Sequence, residues 1–136
     1  MKYLLDTCTV SDFVKGESGT MTKIKHLSPS QLAISSITFL ELRYGLLKTP
    51  EKAIKIKDII NEFLNPIVTI PFDERDAYYA ANIRHHLRGL GTPIGNYDLL
   101  IAGTALHNDL TLVTSNTREF ERVIGLSLEN WRTVNI

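Results

Sequence analysis

The feature that most restricts the fold of this chain is a set of four short apolar runs, each one strand long, separated by stretches of helix length. They are Lys2-Tyr3-Leu4-Leu5, Leu32-Ala33-Ile34-Ser35, Ile67-Val68-Thr69-Ile70 closed by Pro71, and Leu110-Thr111-Leu112-Val113-Thr114. Continuous rather than alternating apolar character marks strands buried on both faces, and helices between such strands imply parallel pairing. A short terminal strand is read near Arg132 to Val134. The sequence therefore predicts an α/β/α sandwich around a central, mostly parallel sheet of four to five strands.

The intervening helices have readable starts. Ser36 is positioned to cap a helix running to about Lys48, and Thr49 with Pro50 opens another to about Leu64. Asp73 caps a third to about Leu90, where Gly89 and Gly91 end it. A fourth runs from Asn96 or Tyr97 to about Asn108, and Asn116 caps a short one through Arg122. Residues 10–28 read as partly helical without clear boundaries.

With 136 residues, 43% of them apolar, the chain can bury one core, so a single domain over 1–136 is expected. The opening segment meets an acid at Asp6 and contains no secretory apolar stretch. One cysteine, Cys8, forms no internal disulfide, which together point to a cytoplasmic protein. Fifteen basic and fifteen acidic residues balance to zero net charge. That argues against a protein that coats nucleic acid by bulk charge, and less against a nuclease, which also needs acids to hold metal.

Three acids break the apolar pattern around them. Asp6 follows the first strand, where open α/β sheets bind ligands, although it could equally cap the next helix. Ile37, Leu40, Glu41 and Tyr44 share one helix face, so Glu41 sits in or beside an apolar stripe. A buried carboxylate there needs a cation or several donors, unless only its stem lies along the stripe. Asp98, Ile101, Ala102 and Ala105 repeat the arrangement, in a first turn where a negative charge also suits the helix dipole. After the last strand, Asn116 could orient a water or cap a helix, and Glu119 could add an acid or be a solvated charge. Oxygen-only donor sets of this kind suit hard divalent cations such as Mg²⁺, which activate water and neutralise phosphoryl charge.

The segments Leu4–Cys8, Thr38–Gly45, Pro93–Ala102 and Val113–Phe120 resemble, in order and spacing, the four signature blocks of VapC-type toxins of the PIN-domain ribonuclease family. The resemblance implies a PIN domain that hydrolyses RNA, commonly tRNA, with Mg²⁺ or Mn²⁺, and so arrests translation. It carries the catalytic and metal-holding roles onto Asp6, Glu41 and Asp98. It makes Thr7 and Thr114 hydroxyls that hold the acids or a water, with Asn116 and Glu119 in support. It also implies a VapB-type antitoxin that blocks the site, and a homodimer within a larger toxin–antitoxin assembly. Two positions depart from the usual pattern: Cys8 stands where many members have asparagine, and Asn116 where many have a fourth aspartate.

Other readings compete. A haloacid-dehalogenase-type phosphotransferase also begins with an aspartate after its first strand, but expects a second two residues on, where this chain has Cys8. A PIN-like module that binds RNA without cutting it would keep the fold and not need the acids. Arg84, sharing a face with Ala77, Ala80, Ala81 and Leu87, reaches either an acid or an RNA phosphate. His85, His86 and Arg88 read as a solvated face, and Lys15, Lys23, Lys25 and Arg43 as scattered surface charge within reach of RNA. His26 and His107 read as isolated, without a paired acid. Gly89, Gly91 and Gly95 form a turn and do not follow a strand as a dinucleotide-binding motif would.

Overall fold

The computed structural model describes residues 1–133. Its five strands are β1 (Tyr3–Leu5), β2 (Leu32–Ser35), β3 (Val68–Ile70), β4 (Thr111–Val113) and β5 (Leu128–Glu129). All pair in parallel, in the order β3-β2-β1-β4-β5. The helices are α1 (Thr7–Lys15), α2 (Ser18–Lys25), α3 (Ser36–Lys48), α4 (Pro50–Leu64), α5 (Glu74–Gly89), α6 (Asn96–His107) and α7 (Thr117–Phe120). The expected sandwich is present, with all five strands parallel. Among the described residues no helix is long and apolar enough to cross a membrane.

The two-residue period of the strands divides the interior into two cores. Leu4, Ala33 and Leu112 face one side, with Ile83, Leu87, Ile101, Ala105 and Phe120 of α5, α6 and α7. Tyr3, Leu5, Leu32, Ile34 and Val113 face the other, with Val10 of α1, Ile24 of α2 and Leu42 of α3. Leu4, Leu5, Ile34 and Leu112 are fully buried, each such side chain contributing about 1.5–3 kcal/mol on leaving water. Steps from β1 to β2 to β3 lead outward along the sheet, and the chain then returns to place β4 on the other side of β1. The direction of winding therefore reverses between β1 and β4, and the crevice beyond their carboxyl ends is where such sheets hold ligands.

Several boundaries differ from the sequence reading. The last strand is Leu128–Glu129, because the amide of Leu112 reaches Ser127 and that of Thr114 reaches Glu129. Arg132 and Thr133 lie outside any strand, and Val134 lies outside the described residues. Arg132 instead forms a two-pronged ion pair with Asp12 of α1, at 2.7 and 2.9 Å. The cap of α3 is Ser35, whose hydroxyl accepts from the Thr38 amide, while the Ser36 hydroxyl accepts from Phe72 across to the β3–α5 loop. Neither Thr49 nor Asn116 makes a capping hydrogen bond. Thr49 spends its hydroxyl on the Gly45 carbonyl, and the Asn116 side chain turns to Glu119. Asp73 does cap α5, accepting from the amides of Arg75 and Asp76. Residues 10–28 contain most of two helices, the first starting directly after Asp6.

Helices α5 and α6 pack closely because Gly103 has no side chain: a Cβ there would lie 2.8 Å from the Asp76 carbonyl oxygen and 3.1 Å from the Ala80 Cβ. Backbone on one side cannot rotate away, so Gly103→Ala must spread the two helices. Its expected cost is about 1–3 kcal/mol of unfolding free energy. Urea denaturation measures this, and an unchanged midpoint would show that the pair can separate freely.

Candidate active site

The crevice beyond β1 and β4 collects the acids picked out by sequence. Asp6 leaves β1 in an extended conformation and caps α1, its Oδ1 accepting from the Thr9 amide at 2.9 Å. Its own amide donates to the Val113 carbonyl, and the Thr9 hydroxyl donates to that same carbonyl, so Asp6 is bolted to the end of β4. Only 3% of its surface is exposed. Burial pushes its carboxyl above the usual range, opposed by hydrogen bonds from Thr114 and Thr9. The capping role read from the sequence is present, and it engages one of the two carboxyl oxygens.

Glu41 projects from the second turn of α3, half-buried, and accepts a 2.7 Å hydrogen bond from the Thr7 hydroxyl. That contact joins the start of α1 to α3 across 34 residues. Asp98 stands in the first turn of α6. Its carboxyl is pushed up to about 6, first by burial and then by the charges of Glu119, Asp6 and Glu41. Four separate elements thus bring negative charge to one place, and no cation offsets it at Asp98. Such a site favours a proton or a cation.

Thr114 is buried, and its hydroxyl accepts from the Asn116 amide at 2.9 Å. Asn116 donates its side-chain amide to Glu119 at 2.7 Å, and the other Glu119 oxygen accepts from the Gly95 amide at 2.6 Å. Glu119 is therefore a fixed member of the site. A Cβ at Gly95 would lie 3.4 Å from an Asp98 oxygen, so glycine there leaves room beside the acid. Sequence reasoning passed over Thr9, Gly95 and the buried Asp12, whose roles depend on chain crossings that no local spacing reveals. Cys8 is exposed.

One correction concerns His107. Its Nδ1 lies 2.5 Å from Asp76 and 3.9 Å from Asp73, so it is paired with acids 31 and 34 residues away. The pairing arises because the end of α6 packs on the start of α5. Among the described residues these three are the group whose possible ligand atoms all lie within 4.8 Å. Asp76 is 1% exposed and fully engaged, also accepting from the Thr104 hydroxyl and the Asp73 amide. The cluster sits nine residues along α6 from Asp98, about 13 Å at the helical rise, and it ties α5 to α6. The carboxylates of Asp6, Glu41 and Asp98 are spaced more widely, as unscreened like charges are.

Comparison with known proteins gives the family. Residues 3–126 match the family described as PIN domain. The tRNA(fMet)-specific endonuclease VapC of Salmonella typhimurium is 36% identical over 133 residues, covering 96% of this chain and 98% of that protein. Ribonuclease VapC2 of Rickettsia felis is 37% identical with the same coverage. Among solved structures, VapBC2 from Rickettsia felis bound to a DNA fragment from its promoter superposes with a TM-score of 0.87 at 35% identity, over 96% of this chain and 99% of that one. DNA-bound VapBC from Salmonella typhimurium gives 0.86 at 36% identity, over 96% and 98%. The chain belongs to the PIN-domain family, in its VapC ribonuclease branch.

The raised carboxyl of Asp98 gives a stability test. Its folded-state value of about 6 exceeds the ordinary 3.8, so the folded protein takes up the proton first as pH falls. The metal-free fold is thus penalised above pH 6 by this group and gains stability as pH drops from 7 towards 4. Asp98→Asn removes that dependence and should raise the metal-free Tm at pH 7.5 by about 3 °C. Added Mg²⁺ or Mn²⁺ should then stabilise the parent protein and leave the variant unmoved. Thermal scans in EDTA across pH 5–8 check both; a lower Tm for the variant would make Asp98 a structural residue.

Proposed function

We propose that Asp6, Glu41 and Asp98 hold a divalent cation, Mg²⁺ or Mn²⁺, with which the chain works as an endoribonuclease on tRNA. The observation that carries this is the convergence on half-buried Asp98 of carboxylates from the cap of α1, from α3 and from α7, where burial first and those charges second push Asp98 up to about 6. An all-oxygen set matches hard cations, which keep several waters and need few direct protein ligands, so carboxylates spaced more widely than one coordination shell still fit. When bound, the cation supplies an acidified water and charge neutralisation at the phosphoryl oxygens.

The chain's own residues supply position. Asp6 is immobilised by the Thr9 amide and by its attachment to Val113. Glu41 is aimed by the Thr7 hydroxyl, and Thr114 donates toward Asp6 while receiving Asn116. Asn116 and the Gly95 amide hold Glu119 beside Asp98, where it adds charge without needing to ligate. This arrangement replaces the fourth aspartate with an amide that orients an acid. The relative specific for tRNA(fMet) makes initiator tRNA the first substrate to try, and the VapBC complexes make a VapB-type antitoxin, covering this acidic edge, the expected partner. A homodimer is the expected unit of that assembly.

Purified protein freed of antitoxin, incubated with initiator tRNA and with total bacterial RNA, should cut in Mg²⁺ or Mn²⁺ and remain silent in EDTA. Asp98→Asn should lower the rate at least a hundredfold, while the folded state is verified by its Tm. Cutting that survives EDTA, or that persists in the variant, would refute the assignment of these acids.

A further inference from the structure

Helix α5 carries two exposed arginines, Arg84 and Arg88, that pair with no acid among the described residues. Arg84 and Arg88 are four residues apart on α5 and so lie on one face. Both line a cavity of about 290 Å³ whose remaining wall includes Pro93, Ile94, Asn96 and Leu99. Asn96 is the first residue of α6, and Asp98 stands two residues later. Pro93 and Ile94 of its wall lead directly into Gly95, where a Cβ would lie 3.4 Å from an Asp98 oxygen, so the connection that walls the cavity runs on to the carboxylates. That connection is tied from its other side, by Glu119 to the Gly95 amide and by Arg122 to the Pro93 carbonyl.

The residues lining this cavity include no carboxylate, and among the described residues neither guanidinium is within ion-pair distance of an acid. Arginine most often marks a carboxylate or a phosphate, and here the carboxylate is missing. The chain is neutral overall and its site is anionic, so a polyanionic substrate is repelled at the acids unless cations next to them hold it. Arg84 and Arg88 are placed to do so, and the apolar wall of Pro93, Ile94 and Leu99 offers a surface for a ribose or base face.

We propose that Arg84 and Arg88 form a subsite for a backbone phosphate of the RNA, adjacent to the phosphate that is cut. This inference rests on the nuclease reading above and adds positioning residues to it. The planar forks of the two side chains donate to one phosphate from two sides and set the strand's course past Asp98. They bind the chain at a fixed distance from the cut, independent of base identity.

The test is steady-state cleavage of initiator tRNA in Mg²⁺ by the full chain across 50–200 mM KCl, comparing the parent with Arg84→Ala/Arg88→Ala. The variant should raise KM about tenfold or more with a smaller change in kcat. The dependence of log(1/KM) on log salt should flatten by about 1.4, two contacts at roughly 0.7 each. Arg84→Lys/Arg88→Lys, which keeps the charge, should recover much of the loss, which separates binding from misfolding. Lys55→Ala/Lys57→Ala, two charges removed from α4 on the opposite face of the sheet, should leave KM and slope near the parent's. Parental KM and slope in the double alanine variant, or an equal shift in the α4 control, overturns the subsite. So does a change of oligomeric mass by light scattering with KM intact, which would assign this face to contacts between copies. A parent that cuts no RNA in either metal removes the nuclease reading and the subsite with it, whereas a parent that cuts beside an unaffected variant removes the subsite alone.

Discussion

The hydrogen bond from the Thr9 amide to Asp6 holds the site together because it makes one carboxyl serve two structures. A helix start buried against a sheet leaves amides that must be satisfied, and Asp6 satisfies one of them at a place only 3% exposed. The same side chain is thereby fixed at the end of the central strand, in the crevice between β1 and β4. Several other members of the site are located relative to it: Thr7 and Thr9 by the helix it starts, Glu41 through Thr7, and Thr114 by the strand alongside.

Charge, in this arrangement, is tolerated rather than cancelled. Arg132 pairs with Asp12, and Asp76 is engaged by His107, the Thr104 hydroxyl and the Asp73 amide. Asp6, Glu41 and Glu119 have threonine hydroxyls, backbone amides and an asparagine instead, and Asp98 has only the neighbouring acids. Neutral donors orient a carboxylate without satisfying its charge, which leaves the affinity for an incoming cation intact. The contrast separates acids engaged by basic side chains from acids held by neutral donors or by none, and the proposed site is built from the second kind.

Much of this was legible in the sequence because burial writes itself into residue type. The four apolar runs correspond to β1 to β4, and Glu41 and Asp98 stood out as acids on apolar helix faces. What stayed hidden depends on contacts between distant segments. A two-residue strand such as Leu128–Glu129 has no pattern of its own and exists because β4 offers an open edge. Ser35 and Ser36 are chemically alike, and only the direction of the chain at the end of β2 decides which one caps α3. His107 looked isolated because its partners are 31 and 34 residues away, and Gly95 looked like an ordinary turn residue because Glu119 arrives from another helix.

The pairing of Asp6 with Val113, across 107 positions of chain, carries a consequence for how the protein is made. The cleft does not exist in the first half of the polypeptide, nor in the first three quarters; its floor is completed only when β4 slides in beside β1. Long-range parallel closure of this sort comes late in folding. A growing chain on the ribosome is therefore unarmed, and the cell has until nearly the whole domain has emerged to meet it with whatever restrains it.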